Sequence, residues 1–142
     1  MKLIKITILL FTITFSVNAR LVLSYAEQRT LNREIIMLDL RIRNSASMIA
    51  TGRISGLMEE LLGLSKFHTA HLLRYKNGFN GLQSKLRKTG IIDSFNKLHS
   101  KSKVLRNYLK KNRRRVDWSL VEKEFAVILQ LSREIHRKTK VK

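Results

Sequence analysis

The sequence predicts an all-α protein, a single-domain bundle of four to five helices, and three observations carry that prediction. The 142-residue chain contains no Pro, where average usage would place about 7. Its apolar residues recur at helical spacing over nearly the whole length. No stretch shows the strict alternation of a half-buried strand, and there is no repeat or low-complexity run. The length suits one core with little room for a second. A hydrophobic share of 44% excludes a disordered basic tail. Zero Cys excludes a disulfide scaffold, a zinc finger and a thiol nucleophile together.

Residues 1–19 read as a secretory signal peptide. Lys2 and Lys5 precede a run from Ile6 to Phe15 that is apolar or Thr throughout, and Ser16-Val17-Asn18-Ala19 offers a cleavage site after Ala19. The run is shorter than the ~20 residues a spanning helix needs, which argues against an anchor. The expected mature chain is a basic helical bundle over residues 20–142, carrying net +17 of the full chain's +19. It would be secreted without disulfides and held by helix packing alone.

Leu31, Ile35, Leu38, Ile42 and Ile49 form the stripe of the first helix. Gly52 and Gly56 bracket a break. Leu57, Leu61, Leu64, His68, Leu72 and Tyr75 mark the second helix, and Asn77-Gly78 with Asn80-Gly81 marks a turn. A short helix from Leu82 to about Lys88 ends at Gly90 as a left-handed cap. Asp93 or Ser94 is placed to cap a helix carrying Phe95, Leu98, Leu105 and Leu109. Ser119 with Glu122 reads as a capping box for the last helix, whose inner face is Val121, Phe125, Ile128 and Ile135. That helix ends in His136-Arg137-Lys138, cations at the negative end of its dipole.

The charge is concentrated rather than spread. Residues 85–115 hold twelve basic residues against Asp93 alone, net +11. They are Lys85, Arg87, Lys88, Lys97, Lys101, Lys103, Arg106, Lys110, Lys111, Arg113, Arg114 and Arg115. With Phe95, Leu98, Leu105 and Leu109 inward, Lys97, Lys101 and Lys111 fall on one flank of the outer face, and Lys103, Arg106 and Lys110 on the other. A solvated face does not need one sign packed so densely, because self-repulsion costs stability. The cluster therefore reads as a binding surface for a polyanion or an acidic glycoprotein. Nucleic acid is disfavoured, since Tyr108 is the one aromatic residue interleaved with it besides the inward Phe95.

Catalytic constellations are weak. His68 and His71 share a helix face, but no Asp or Glu lies between Leu61 and Asn80 to complete a metal site. Glu59 and Glu60 are adjacent, so their side chains diverge by about 100°. Asp93-Ser94 with His99 has triad composition but reads better as capping. The chain reads as a non-enzyme with no metal and no cofactor.

The run Tyr25-Ala26-Glu27-Gln28-Arg29-Thr30-Leu31-Asn32-Arg33 resembles the start of abalone sperm lysin. In that family a Tyr-x-Glu-x-basic-x-Leu-Asn-basic pattern leads into the first long helix. Lys85, Leu86, Gly90 and Asp93 resemble its mid-chain connection, and length, basicity, helix order and lack of Cys agree. The resemblance implies a bundle of five helices stored in the sperm acrosomal vesicle and released at the egg. There it would bind vitelline envelope glycoprotein stoichiometrically through basic tracks and loosen the fibres without cutting bonds. An apolar patch in that family also serves homodimerisation. Trp118 is the single Trp here, fewer aromatic residues than lysins carry. The resemblance thus extends to the paralogous acrosomal protein linked to membrane fusion, whose partner would be an anionic membrane surface.

Overall fold

A computed structural model describes residues 22–66 and 85–139. The signal-peptide segment, His68, His71, Leu72, Tyr75, the two Asn-Gly pairs and the start of the short helix at Leu82 lie outside the described residues. The described chain is helical without strands: α1 (Tyr25–Ala50), α2 (Ile54–Ser65), α3 (Ile91–Lys111) and α4 (Trp118–Lys138). A helical turn at residues 85–88 precedes α3. Each of α1 and α3 packs on α2 and α4, so α1 and α3 stand diagonally across the bundle.

The start of α1 is fixed by a capping box. Ser24 Oγ accepts from Glu27 N at 3.2 Å, and Glu27 Oε1 accepts from Ser24 N at 3.0 Å. Its inner face buries Leu31, Leu38 and Ile42, with Ile35 and Ile49 half-buried beside them. The helix ends in a Schellman turn: Arg53 N reaches Met48 O at 2.9 Å and Gly52 N reaches Ile49 O at 3.2 Å. Gly52 holds φ +65 there. The break expected between Gly52 and Gly56 is shorter than that bracket, because α2 restarts at Ile54. Gly56 sits inside α2, where a Cβ would come within 2.6 Å of Met48 Sδ. Its lack of a side chain leaves room for the Met48 side chain of α1.

The expected cap of α3 is corrected. The helix starts at Ile91 behind Gly90, whose φ of 73 ends the preceding turn and begins the next helix at one residue. Asp93 lies in the first turn. Ser94 is buried and accepts from Lys138 Nζ at 3.0 Å, so neither residue is the N-cap. The Ser119–Glu122 capping box is corrected as well: Asp117 is the N-cap of α4, its Oδ1 accepting from Leu120 N at 3.3 Å.

Phe95, Leu98, Leu105 and Leu109 of α3 and Val121, Phe125, Ile128 and Ile135 of α4 are buried as expected, in one core with Leu57, Leu61 and Leu64 of α2. Polar ties close the edges. Arg41 Nη1 pairs with Glu60 Oε2 at 3.2 Å between α1 and α2, and His136 Nε2 meets Asp39 Oδ1 at 2.6 Å between α4 and α1.

At Gly90 a Cβ would meet nothing closer than Lys138 Nζ at 3.6 Å, so a substitution there is opposed by φ and not by crowding. Gly90→Ala is expected to cost about 1–2 kcal/mol, the left-handed penalty of an L-residue. Thermal unfolding followed by circular dichroism should show this as a drop of several degrees with helicity unchanged.

Candidate binding surface

The structure divides the twelve basic residues. Lys85 is half-buried and spent on Glu27, its Nζ donating to Oε1 at 2.7 Å. Lys101 lies 4.0 Å from Glu124 Oε2 on α4. Arg106 is half-buried on the flank opposite to Lys97 and Lys101, its Nε enclosed with no hydrogen-bond partner among the described residues. Arg87, Lys88, Lys97, Lys103, Lys110, Lys111, Arg113, Arg114 and Arg115 are exposed, and none of the nine is ion-paired among the described residues.

Five of these nine gather at one place. Lys110, Lys111, Arg113, Arg114 and Arg115, with Asn112, line an open concavity of about 440 Å³ at the junction of α3 and α4. The backbone there is held by short-range bonds. Asn112 closes the last turn of α3 through its N and Nδ2, both donating to Tyr108 O at 3.0 and 2.9 Å. Arg115 N then donates to Asn112 O at 3.0 Å, forming a β-turn with Arg113 and Arg114 at its tip. Tyr108 Oη accepts from Asp117 N at 3.0 Å and ties the exit of the turn back to α3. Arg113 leans on Met58, its Nη2 lying 3.9 Å from Sδ.

The nearest carboxylate in sequence, Asp117, caps α4 and pairs with none of the five cations. Lys110 and Lys111 also stand where the unsatisfied carbonyls of α3 concentrate negative potential, which favours cations at that end. The arrangement is a fixed turn with five positive groups that no carboxylate among the described residues pairs with. It can bind anions.

The other candidates do not converge. Ser94 receives Lys138, while His99 Nδ1 contacts Ser65 O on α2, so Asp93, Ser94 and His99 form no relay. Glu59 is exposed and Glu60 is held by Arg41 and Asn44. Among the described residues no three His, Cys, Asp or Glu side chains gather as a metal site, and no helix is long and apolar enough to cross a membrane.

Sequence reasoning missed a second surface. On α1, Tyr25, Ile36, Met37 and Leu40 are exposed at 84%, 64%, 44% and 42%, and Arg29, Arg33 and Arg43 are exposed among them. A shallow groove runs along Tyr25, Arg29, Asn32, Arg33 and Ile36. Because α1 and α3 lie diagonally, this apolar and cationic face points away from the outer face of α3. The signal was present in Ile35-Ile36-Met37-Leu38. Four consecutive apolar residues on a helix cannot all face one core.

The Glu27 carboxyl is affected first by burial, which raises its pKa. The hydrogen bonds from Lys85 and Ser24 and the charge of Lys85 outweigh that effect and hold it below the usual 4.5. A depressed carboxyl contributes stability that is present above its unfolded value and lost as pH falls through the folded one. Glu27→Gln should therefore unfold at lower temperature than the parent at pH 7, and the gap should close as the pH falls below 4.5 and through the lowered folded-state value. Thermal melts across that range read it directly. The turn makes a separate prediction. Tyr108→Phe removes the acceptor for Asp117 N, a bond worth about 0.5–1.5 kcal/mol. Trypsin should then cut after Arg113, Arg114 or Arg115 several-fold faster, seen as two fragments by mass spectrometry, with helicity retained.

Comparison with known proteins brings no relative to this geometry: no family model matches the chain, and no curated protein or solved structure is significantly similar to it.

Proposed function

We propose that this protein is a secreted acrosomal sperm protein that binds egg vitelline envelope glycoprotein and loosens it without enzymatic cleavage. The carrying observation is the turn at residues 110–115, five cations fixed at one end of α3 and paired with no carboxylate among the described residues. Such a surface steers the protein onto an acidic target at long range, and contacts made on arrival then compete with those that hold the target's fibres together. Loosening by competition is stoichiometric and needs no catalytic group.

The resemblance to abalone sperm lysin supplies the identity of the target, and one structural feature supports it. Its two stretches, Tyr25–Arg33 and Lys85–Asp93, are joined by the Glu27–Lys85 ion pair at 2.7 Å. Within the first stretch, Leu31 is buried, while Tyr25, Arg29, Asn32 and Arg33 face outward. The match therefore spans both the inside and the outside of α1.

A second reading is favoured by the outer face of α1. Exposed Tyr25, Ile36, Met37 and Leu40 set among three arginines suit an anionic membrane surface, as expected of the fusion-associated paralogue. The same exposed face would also serve a homodimer.

Protein from Arg20 onward, added to isolated egg envelopes at stoichiometric dose, should disperse them, and the effect should weaken as salt shortens the ~8 Å screening length of physiological buffer. Replacing Arg113, Arg114 and Arg115 with Gln should lower envelope binding on the order of tenfold, from roughly 0.2–1 kcal/mol per exposed charge. Intact envelopes would sink the reading. Leakage or merging of anionic liposomes without envelope dispersal would select the membrane reading instead.

A further inference from the structure

We propose that the turn at residues 110–115 is a docking site for clustered sulfate esters on a polysaccharide. This rests on the reading that the turn is the protein's binding surface, and it names the chemistry of what the turn holds.

Charge density is the first argument. Lys110, Lys111, Arg113, Arg114 and Arg115 project from six consecutive residues. The Asn112–Arg115 hydrogen bond brings the Cα atoms of those two residues within ~7 Å. Five positive groups thus leave a very small area of backbone, and no carboxylate among the described residues pairs with them. A glycan with one carboxylate per disaccharide lays only one or two charges across such an area. A glycan esterified with several sulfates per disaccharide lays enough to match all five.

Donor chemistry is the second. Three of the five are arginines, whose planar forks give paired N–H donors to tetrahedral oxyanions and are weakly hydrated, so they exchange water for ester oxygens readily. The bonds that Asn112, Arg115 and Asp117 make fix the backbone beneath them before any ligand arrives, which reduces the ordering cost of binding.

The third argument separates sulfate esters from the phosphodiesters of single-stranded nucleic acid. Bases need aromatic faces on which to stack. Tyr108, the aromatic residue beneath the turn, is half-buried with its hydroxyl engaged by Asp117 N. Trp118, the next nearest in sequence, is half-buried with its ring directed at Gly52, where a Cβ would lie 3.8 Å from Cζ2. Among the described residues the turn offers charge without stacking platforms.

Titration calorimetry of the protein from Arg20 onward tests the proposal with three probes: heparin, the same heparin after chemical desulfation, and an oligothymidylate of similar length. Heparin should bind at least tenfold tighter than either of the others at 0.15 M salt. Replacing Arg113, Arg114 and Arg115 with Gln should lower the slope of log K against log salt by about 2–3, near 0.7–0.9 for each lost contact. The same charge change placed elsewhere, Lys66→Gln with Lys123→Gln and Arg133→Gln, should leave that slope within 1 of the parent. Equal affinity for heparin and desulfated heparin would overturn the proposal, as would tighter binding of oligothymidylate. An equal loss of slope from both triple variants would show that bulk charge, not the turn, is read. Circular dichroism of each variant checks that the bundle is intact.

The outcomes also part this inference from coat loosening. If heparin binds through the turn and envelopes stay intact, the function falls and the sulfate site stands. If envelopes disperse through the turn and desulfated heparin competes as well as heparin, the function stands and the sulfate site falls.

Discussion

Phe95, Leu98, Leu105 and Leu109 form the apolar seam along α3 that the rest of the structure depends on. All four are at or near complete burial, and through them α3 packs on α2 and α4 together. Burial of side chains of this size contributes roughly 1.5–3 kcal/mol each before entropy is charged against it. That attraction has to hold a helix whose other face repels itself. In a chain with no Cys, helix packing is the restraint that can do so.

The consequence is a division of labour by angle around one helix. The seam occupies one side of α3, and the cations Lys97, Lys103, Lys110 and Lys111 occupy the other. Because the seam fixes the rotation of α3, it also fixes where the chain leaves the helix, and hence where the arginine turn points. Tyr108 stands between the two: its ring packs on the core while its hydroxyl holds Asp117 N. The geometry of the turn is therefore an extension of the packing and is not a loose loop decorated with charge.

The apolar stripes of α1, α3 and α4 were legible in the sequence because helical periodicity is local. The burial of Leu31, Leu38 and Ile42, of Phe95, Leu98, Leu105 and Leu109, and of Val121, Phe125, Ile128 and Ile135 follows from spacing, whereas Ile35 and Ile49 on the same α1 stripe are only half-buried. The helix starts were less legible. Asp93, Ser94 and Gly90, like Ser119 and Asp117, are neighbouring candidates with the chemistry or freedom to begin a helix, and spacing cannot choose among them. The choice falls to contacts from elsewhere: Lys138 takes Ser94, and the Tyr108 hydroxyl positions Asp117. The Ser24–Glu27 capping box was readable by the same rule that misplaced the one at Ser119, yet it straddles the start of the run that carried the lysin resemblance.

The sequence by itself determined that this protein is a helical bundle and that most of its net positive charge lies in residues 85–115. Tertiary structure alone decided which of those charges are available. Lys85 meets Glu27 58 positions away and Lys101 meets Glu124, leaving the turn at 110–115 as the densest uncompensated group among the described residues. It also decided that the exposed apolar residues of α1 face away from α3, since the diagonal placement of two helices is set by how four apolar stripes share one core. Periodicity is a property of one helix, whereas charge neutralisation depends on distances between helices, and these exist only once the core has closed.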